Sequence, residues 1–259
     1  MRNPNSALDR RTYILEKLRV NKNITVNELI KKFQVSAVTI RKDLDQLERK
    51  NQLLKVRGGA IHISNTNIGE DMDLGVKQEK NKTEKQNIGK IAVTLIQEND
   101  TIILDSGTTT MEIAKRLEKF QNITIITNAL NIAQYLAGYK RFNVIIPGGY
   151  LRNKSLSMVG SMAESCLRNF FVDKLFLGID SFDPEKGVST PNMEEASINQ
   201  TMISIAREVI AVFDSSKFHR QSFAHIAPLS KINTIITDSG ISREMVEQLE
   251  SRNIKVIIA

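Results

Sequence analysis

The chain has 259 residues, of which 41% are hydrophobic and 25% are charged, the composition of a soluble globular protein. Its apolar runs stay well short of the ~18 residues that a membrane span needs, and the opening MRNPNSALDRR lacks the apolar core of a secretory signal. We therefore expect a cytoplasmic protein, and the single cysteine, Cys166, excludes an intrachain disulfide and fits that reducing compartment.

The positive charge is concentrated at one end of the chain. Residues 1–61 hold 14 lysines and arginines against 6 acidic residues, a net charge of +8, which leaves −1 for residues 62–259. A basic head on a nearly neutral body predicts that the head meets a polyanion such as DNA. Charge alone fits a merely basic domain equally well, so the motifs must decide between the two.

Three helices are predicted in this head. The first spans residues 6–20, and the second begins where Thr25 and Glu28 can form a capping box. The third begins after Ser36, a favourable N-cap, and only residues 34–35 separate it from the second helix. So short a connection forces a sharp turn and predicts a helix-turn-helix.

The third helix has an apolar face and a polar face. Ile40, Leu44 and Leu47 recur at helical spacing and predict the buried face. Taken alone, this is an ordinary amphipathic helix with a solvated side. In a helix-turn-helix, the polar side would lie in the major groove, where Arg41 can donate two hydrogen bonds to guanine.

A hairpin is predicted after the third helix. Residues 53–63 place two glycines between short apolar runs, which is typical of a wing. We expect Arg10 and Arg11 of the first helix, like the basic residues of the wing, to contact phosphates, and Asp43 to form an internal hydrogen bond or ion pair. The predicted DNA-contacting residues are Ser36, Val38, Thr39, Arg41, Lys42, Gln46, Lys55 and Arg57.

The head carries a long motif. The run VSAVTIRKDLDQLE at 35–48, followed by VRGGA at 56–60, resembles the DNA-binding head of the DeoR family of bacterial sugar-metabolism regulators. The resemblance implies a winged helix-turn-helix domain over residues 1–61 that binds double-stranded operator DNA.

A polar stretch separates the head from the body. Residues 62–81 lack sustained periodicity and are predicted to form a linker, and residues 82–259 form the second domain, which opens with a helix over 82–96. Strands and helices then alternate, and the strands are continuous apolar runs, which predicts an α/β domain with a largely parallel sheet buried on both faces. The predicted strands span 101–105, 123–127, 143–147, 174–179, 208–213, 234–238 and 255–259, with helices such as 110–120 and 242–251 between them.

The turn after the first predicted strand has the residues of a phosphate cradle. In DSGTTT, residues 105–110, a glycine and several hydroxyl side chains lead directly into a helix, whose first N–H groups favour anions. Gly107 is expected to permit a tight turn. The motif lacks the G-K-[ST] of a Walker loop, which disfavours nucleotide hydrolysis. A plain turn with an N-cap is the alternative.

Polar residues also follow other strands of the predicted sheet. Ligands bind beyond the carboxyl ends of parallel strands, so these residues predict one site with cationic or hydroxyl donors for a phosphate and partners for sugar hydroxyls. The alternative is that each one satisfies its own loop. The predicted effector-binding residues are Asp105, Ser106, Gly107, Thr108, Thr109, Thr127, Asn128, Gly149, Arg152, Asp180, Glu195 and Lys217.

The body also resembles that of the DeoR family. The segments DSGTTT, TNAL, GGYLR, GVST, EEA and DSSKF, with FLGID before GVST, are similar to its effector-binding domain. This implies a fold like ribose-5-phosphate isomerase or CoA-transferase, and a bound phosphorylated sugar that weakens operator binding. GVSTPNMEEASINQ is most similar to the branch that controls N-acetylgalactosamine and galactosamine use. Asn199 and Gln200 depart from the basic pair that the family often has there.

The alternative function is a sugar-phosphate isomerase that carries a DNA-binding head. Isomerases of this fold have a D-G-A-D run where this chain has LGID at 177–180, so Asp180 and Glu195 remain but the first carboxylate is replaced by Leu177. The acid–base pair is incomplete, and we expect no enzyme activity. The three histidines are scattered, so we expect no metal site and no cofactor. The expected partners are operator DNA, a phosphorylated sugar or amino sugar, and further copies of the chain, with no membrane.

Overall fold

The computed structural model describes residues 6–21, 23–49, 52–56, 58–61 and 71–259. The chain divides into two units, Met1–Asn67 and Ile68–Ala259, each with its own core. Among the described residues, no helix is both long and apolar enough to cross a membrane.

The first unit has the predicted helices and hairpin. Its elements are α1 (Ala7–Asn21), β1 (Asn23–Thr25), α2 (Val26–Phe33), α3 (Ala37–Arg49), β2 (Leu54–Val56) and β3 (Gly59–Ile61). β2 and β3 form the predicted wing, and β1, which the sequence did not indicate, pairs antiparallel with β3. The extra strand ties the wing to the segment between α1 and α2.

Local hydrogen bonds and backbone conformation fix both ends of α2 and the start of α3. The predicted capping box is present, since the Thr25 N–H donates to Glu28 Oε2 at 2.7 Å and the Glu28 N–H donates to Thr25 Oγ1 at 3.2 Å. α2 ends at Gln34, whose left-handed backbone (φ 52°) turns the chain toward α3. The Ser36 hydroxyl accepts from the Thr39 N–H at 3.2 Å and starts α3 as predicted.

The apolar face of α3 is anchored in a small core. Ile40, Leu44 and Leu47 are at most 2% exposed. They pack with buried residues of the other helices and the wing, which are Ile14, Leu18, Ile24, Leu29, Phe33, Leu53 and Ala60. This burial fixes which side of α3 faces outward.

The second unit is an α/β body. In chain order its elements are α4 (Leu74–Glu79), α5 (Lys82–Ala92), β4 (Thr101–Leu104), α6 (Thr108–Ala114), β5 (Thr124–Thr127), α7 (Leu130–Leu136), β6 (Asn143–Ile145), β7 (Tyr150–Arg152), β8 (Ser157–Val159), α8 (Ser161–Leu167), β9 (Val172–Gly178), β10 (Ser181–Asp183), β11 (Gly187–Thr190), α9 (Met193–Ile205), β12 (Ala206–Val212), β13 (Ala224–Ala227), β14 (Thr234–Thr237), α10 (Arg243–Glu250) and β15 (Lys255–Ile258).

Within residues 71–259, all seven predicted strands form, and they make one parallel sheet in the order β15-β14-β12-β9-β4-β5-β6. Burial on both faces is confirmed. In β4, Ile103 packs into one hydrophobic core, while Ile102 and Leu104 pack into the core on the other face. The continuous apolar runs are therefore explained by two cores that share one sheet.

Several short elements of the body were not predicted. β7 and β8 form an antiparallel hairpin, and β10, β11 and β13 form a second, antiparallel sheet. Strands of three or four residues are too short to show an alternating pattern. The helix predicted over 110–120 ends at Ala114 and continues as a 3₁₀ turn over Leu117–Lys119.

Part of the predicted linker belongs to the body. Residues 71–81 include α4 and contact the ends of the parallel strands, whereas residues 62–70 lie outside the described residues. Leu74 donates its N–H to the Lys154 carbonyl at 3.0 Å. The polar sequence of this segment hid these contacts because they are ion pairs and hydrogen bonds rather than apolar packing.

Candidate DNA-binding face and candidate effector site

The outward face of α3 presents the residues predicted to read DNA. Val38, Arg41, Lys42 and Gln46 are exposed, and Thr39 is half-buried. The side chains of Arg41 and Lys42 make no hydrogen bond or ion pair with any residue that the structure describes. Two unpaired cations on an anchored helix are available to bases and phosphates.

The charges behind α3 correct one prediction and confirm another. Arg10 is only 8% exposed, and its Nε donates to Asp43 Oδ2 at 2.7 Å. The prediction that Arg10 contacts a phosphate is therefore wrong, because its guanidinium is buried in this pair. Arg11 lies 3.5 Å from the other Asp43 oxygen. The internal ion pair predicted for Asp43 is confirmed, and it ties α1 to α3.

Of the two wing residues predicted to contact DNA, Lys55 is described by the structure and Arg57 is not. The Lys55 ammonium is hydrogen-bonded to Asp45 of α3, and the Lys55 N–H donates to Glu48 Oε1 at 2.9 Å. Lys55 must therefore exchange Asp45 for a phosphate if it contacts DNA. Arg57 lies outside the described residues, so its predicted role is untested.

In the body, the turn after β4 begins with a buried carboxyl group. Asp105 is 2% exposed, and its Oδ2 accepts from the Gly178 N–H at 3.2 Å. Burial, followed by the negative charge of Glu195, raises the pKa of Asp105 well above its usual range. This favours the neutral carboxylic acid, which can donate as well as accept a hydrogen bond.

The rest of this turn opens α6 without a side-chain cap. α6 starts at Thr108, so the N–H groups of Thr108 to Thr110 precede its first helical hydrogen bonds. Thr110 Oγ1 donates to the Gly107 carbonyl at 3.0 Å. Gly107 has φ 165°, an extended conformation open to any residue, so this turn does not require the left-handed backbone that favours glycine. Ser106 and Thr108 are half-buried, and Thr109 is buried.

The turn after β5 is buried more deeply. Thr127 Oγ1 accepts from the Ala129 N–H at 3.1 Å, so this hydroxyl already has a structural partner. Asn128 is fully buried; its Nδ2 is 3.5 Å from the Met158 carbonyl, and its Oδ1 has no hydrogen-bond partner among the described residues. A buried unpaired amide oxygen is costly unless a ligand or water satisfies it.

The β7–β8 hairpin brings an arginine to the same edge. Gly149, just before β7, has φ 101°, and a side chain there would lie 2.4 Å from the Val159 carbonyl, so only glycine fits. Arg152 Nη1 donates to Glu195 Oε1 at 3.0 Å and to Ser155 Oγ at 3.1 Å. The predicted residues Arg152 and Glu195 are therefore in direct contact.

Thr190 at the end of β11 joins two of the predicted carboxylates. Its hydroxyl lies 3.1 Å from Asp180 Oδ2 and 3.4 Å from Glu195 Oε2. This threonine is the last residue of GVST, and no role was predicted for it from the sequence. Asp180, Glu195 and Arg152 thus form one connected polar network, extended by Ser157, whose hydroxyl donates to Glu195 at 3.2 Å.

A lysine without a hydrogen-bonded partner follows β12. Lys217 makes no side-chain hydrogen bond or ion pair with the residues that the structure describes. Burial lowers its pKa, although the carboxylates of Asp214 and Asp180 oppose this effect. Burial would raise the pKa of Asp214, but Lys217 and the bonded Ser216 hold it below its usual value. The Lys217 ammonium, which has no hydrogen-bonded partner among the described residues, can therefore bind an anion such as a phosphate.

The segment before α5 supplies residues that the sequence did not predict. The Arg152 guanidinium is ion-paired with Asp71 through Nη2, Lys77 Nζ lies 2.7 Å from Asp180 Oδ1, and Asn81 Nδ2 lies 2.6 Å from Asp214 Oδ1. Burial would lower the pKa of Lys77, but the charge and hydrogen bond of Asp180, together with the charges of Glu195 and Asp71, raise the pKa. Arg152 and Asp180 are the two predicted effector residues that the segment engages.

The described contacts therefore join some predicted residues and not others. Arg152, Glu195 and Asp180 share one network, and the charges of Asp180 and Lys217 act on each other. Asp105 is linked to this group through the charge of Glu195. Asn128 contacts Met158 of β8 instead, and Thr127 bonds to Ala129 within its own turn.

Comparison with family models identifies both units. A model of the DeoR-like helix-turn-helix domain matches residues 10–66, and a model of the DeoR C-terminal sensor domain matches residues 80–239. The second match alone covers more than half of the chain. Among solved structures, ribose 5-phosphate isomerase A from Methanocaldococcus jannaschii is 17% identical, with a TM-score of 0.40 over 54% of this chain and 55% of that one.

Curated relatives match the chain along nearly its whole length. A proposed aga operon transcriptional repressor of Escherichia coli O157:H7 is 39% identical over 96% of this chain and 93% of its own length. The transcriptional repressor AccR of Agrobacterium fabrum is 34% identical over 96% of this chain and 95% of its own length. With both domain models in their expected order and such relatives, the chain belongs to the DeoR family of transcriptional regulators.

Proposed function

We propose that this regulator represses an operon for sugar or amino-sugar catabolism and is released from its operator by a phosphorylated sugar. The relative at 39% identity, named for the aga operon, supports the amino-sugar branch. The observation that carries the DNA half is the exposed, unpaired Arg41–Lys42 pair on a helix whose opposite face is buried. This is the arrangement of a recognition helix that enters the major groove.

The effector half rests on the polar groups at the carboxyl ends of β4, β5, β9 and β12, together with Glu195 of α9. The Lys217 ammonium and the first N–H and hydroxyl groups of α6 are donors for a phosphate. Asn128, Asp180 and Glu195 are partners for sugar hydroxyl or amino groups, and Asn128 has an amide oxygen to spare. Two kinds of polar group at one sheet edge match a sugar phosphate.

The proposed active form is a homo-oligomer. Helix-turn-helix dimers read half-sites about one DNA turn apart, ~34 Å, or multiples of it. A coupling of ~1–3 kcal/mol between effector and DNA would weaken operator binding about 5- to 150-fold. The effector would act by favouring a state in which the heads no longer match the operator spacing.

A thermal-shift screen tests the sensor. The panel consists of hexose 6-phosphates and hexosamine 6-phosphates, with the unphosphorylated sugars and inorganic phosphate as controls. A true effector at 100 times its dissociation constant adds ~2.7 kcal/mol to the free energy of unfolding. A compound that shifts the midpoint and also releases operator DNA supports the proposal. Turnover of that compound without release would favour the isomerase, and a panel without any shift would contradict the sensor.

A further inference from the structure

Three contacts hold the segment 71–81 over the strand ends. Asp71 pairs with Arg152, Lys77 with Asp180, and Asn81 with Asp214. Each partner is a polar residue at the edge where the proposed effector binds. An effector that takes hydrogen bonds from these residues therefore competes with the segment itself.

Asp71 is the contact that most resembles a bound ligand. Its carboxylate is engaged by the Arg152 guanidinium, and Lys154 lies 3.8 Å away, so two cations converge on one anion. The side chains of Asp71 and Arg152 are each 14% exposed. A carboxylate held between a guanidinium and an ammonium is in the position that an anionic or oxygen-rich group of a ligand would take.

Both terminal nitrogens of the Arg152 guanidinium already donate to acceptors in this structure. Its Nη1 is used by Glu195 and Ser155, which orient the guanidinium, and its Nη2 is used by Asp71. Glu195 and Ser155 belong to the body, while Asp71 belongs to the segment that leads from the head. An effector oxygen can reach Nη2 by taking the place of Asp71, and it leaves the orienting contacts intact.

We propose that Asp71 is an internal occupant of the effector site, and that an oxygen of the sugar phosphate displaces it from Arg152. The inference rests on the proposed function, since it names the group that the effector replaces. Displacement releases the beginning of the segment, up to the Leu74 N–H that bonds to Lys154 and the Lys77–Asp180 pair. Because this is the part of the body next to the connection with the head, the exchange reports site occupancy to the DNA-binding domain.

Loss of the Asp71 carboxylate should mimic the effector. The probe is an operator duplex selected from random DNA with the wild-type chain. We expect Asp71→Asn to weaken binding to this duplex by about fivefold or more when no sugar is present. Fivefold is the low end of common allosteric couplings. Asp73→Asn is the matched control, because it makes the same charge change two residues away, and the Asp73 side chain makes no cap hydrogen bond. Asp71→Glu keeps the charge and should restore most of the affinity.

Hydrogen exchange provides a second readout on the same full-length variants. Amides of residues 71–76 should exchange faster in Asp71→Asn than in Asp73→Asn, while amides of β4 and β9 stay protected, which also shows that the body is folded. Operator affinity of Asp71→Asn within twofold of wild type, or unchanged exchange, would overturn the proposal. Neither measurement uses a sugar, so failure of the sugar-phosphate panel would count against the proposed function and leave this result readable.

Discussion

Asp43 belongs to the helix-turn-helix motif, but its side chain is placed to stabilise the head rather than to contact DNA. It lies on the recognition helix, yet it is buried and accepts from Arg10, with Arg11 also within 3.5 Å. The pair links the first and third helices of the head. Its place in the DeoR-like motif therefore reflects the position of the helix rather than the reading of bases.

Asp43→Asn should destabilise the head without changing the DNA-facing side chains. Removing the charge from a buried pair costs roughly 2–5 kcal/mol, because the arginine loses the anion that offsets its burial. Denaturant unfolding followed by a probe in the head measures this. Asp45→Asn is the control, since the Asp45–Lys55 pair is 42% and 33% exposed and should contribute about 0–1 kcal/mol. Equal effects of the two substitutions would refute the assignment.

Arg41 is expected to carry sequence discrimination. Arg41→Ala should weaken operator binding by about tenfold or more, since a bidentate contact with guanine contributes ~1–3 kcal/mol of discrimination. Lys31→Ala, which removes an equal charge from exposed α2, should lower affinity for operator and random duplexes alike. Fluorescence anisotropy with both duplexes separates the two cases. Operator affinity of Arg41→Ala within twofold of wild type would show that this side of α3 does not enter the groove.

At the scale of elements, the strands were predictable and the segment over their ends was not. Continuous apolar runs indicated each strand of the parallel sheet, because burial on both faces confines polar residues mostly to the strand ends. Residues 71–81 pack through Asp71, Lys77 and Asn81, and polar contacts leave no periodic trace in a sequence. The short strand β1 and the β7–β8 hairpin escaped for a related reason, since three residues cannot show a period.

The site was predictable to a similar degree. The rule that ligands bind beyond the ends of parallel strands pointed to Asp180 and Lys217 before their neighbours were known, and the family resemblance added Glu195. It could not show that Thr190 bridges Asp180 and Glu195, or that Asp71 engages Arg152, because partners 5 to 81 residues apart meet only in the fold. The same limit hid the burial of Arg10, which composition alone marked as a surface cation.

Lys85 on α5 gives the element a pH signature. It is 5% exposed, its ammonium donates to the carbonyls of Lys77 and Lys80, and burial lowers its pKa from 10.5 to about 8. Between these values the unfolded chain binds more protons than the folded chain, so the free energy of unfolding should rise with pH from near 8 to near 10.

Substitution of Lys85 by methionine should remove this rise. Urea unfolding near pH 7 and near pH 10 measures it, with Lys82→Met, an exposed position on the same helix, as the control that keeps the rise. A Lys85→Met variant whose pH dependence matches that of Lys82→Met would show that Lys85 is not held in this environment. The result matters for the site because Lys85 holds the carbonyls of the segment that carries Lys77.

At the scale of the whole molecule, a basic head and an α/β body with a polar site occupy one chain of the DeoR family. The body matches a sensor domain, and its polar residues gather where a sugar phosphate is proposed to bind. The head has a helix-turn-helix whose third helix exposes two cations without a side-chain partner among the described residues. Regulation requires that effector binding to the body changes the DNA affinity of the head. The same coupling must change the effector affinity of the body when the head binds DNA.

The most direct test of the account is a titration of the operator-bound, full-length chain with hexosamine 6-phosphates, followed by fluorescence anisotropy. We predict that at least one of them lowers operator affinity by about fivefold or more, and that Lys217→Met or Thr108→Val prevents both this release and the thermal shift by the same compound. Inorganic phosphate and the unphosphorylated sugars should not release the DNA. If no sugar phosphate weakens operator binding, or if the two variants respond as the wild-type chain does, the proposed effector site is contradicted.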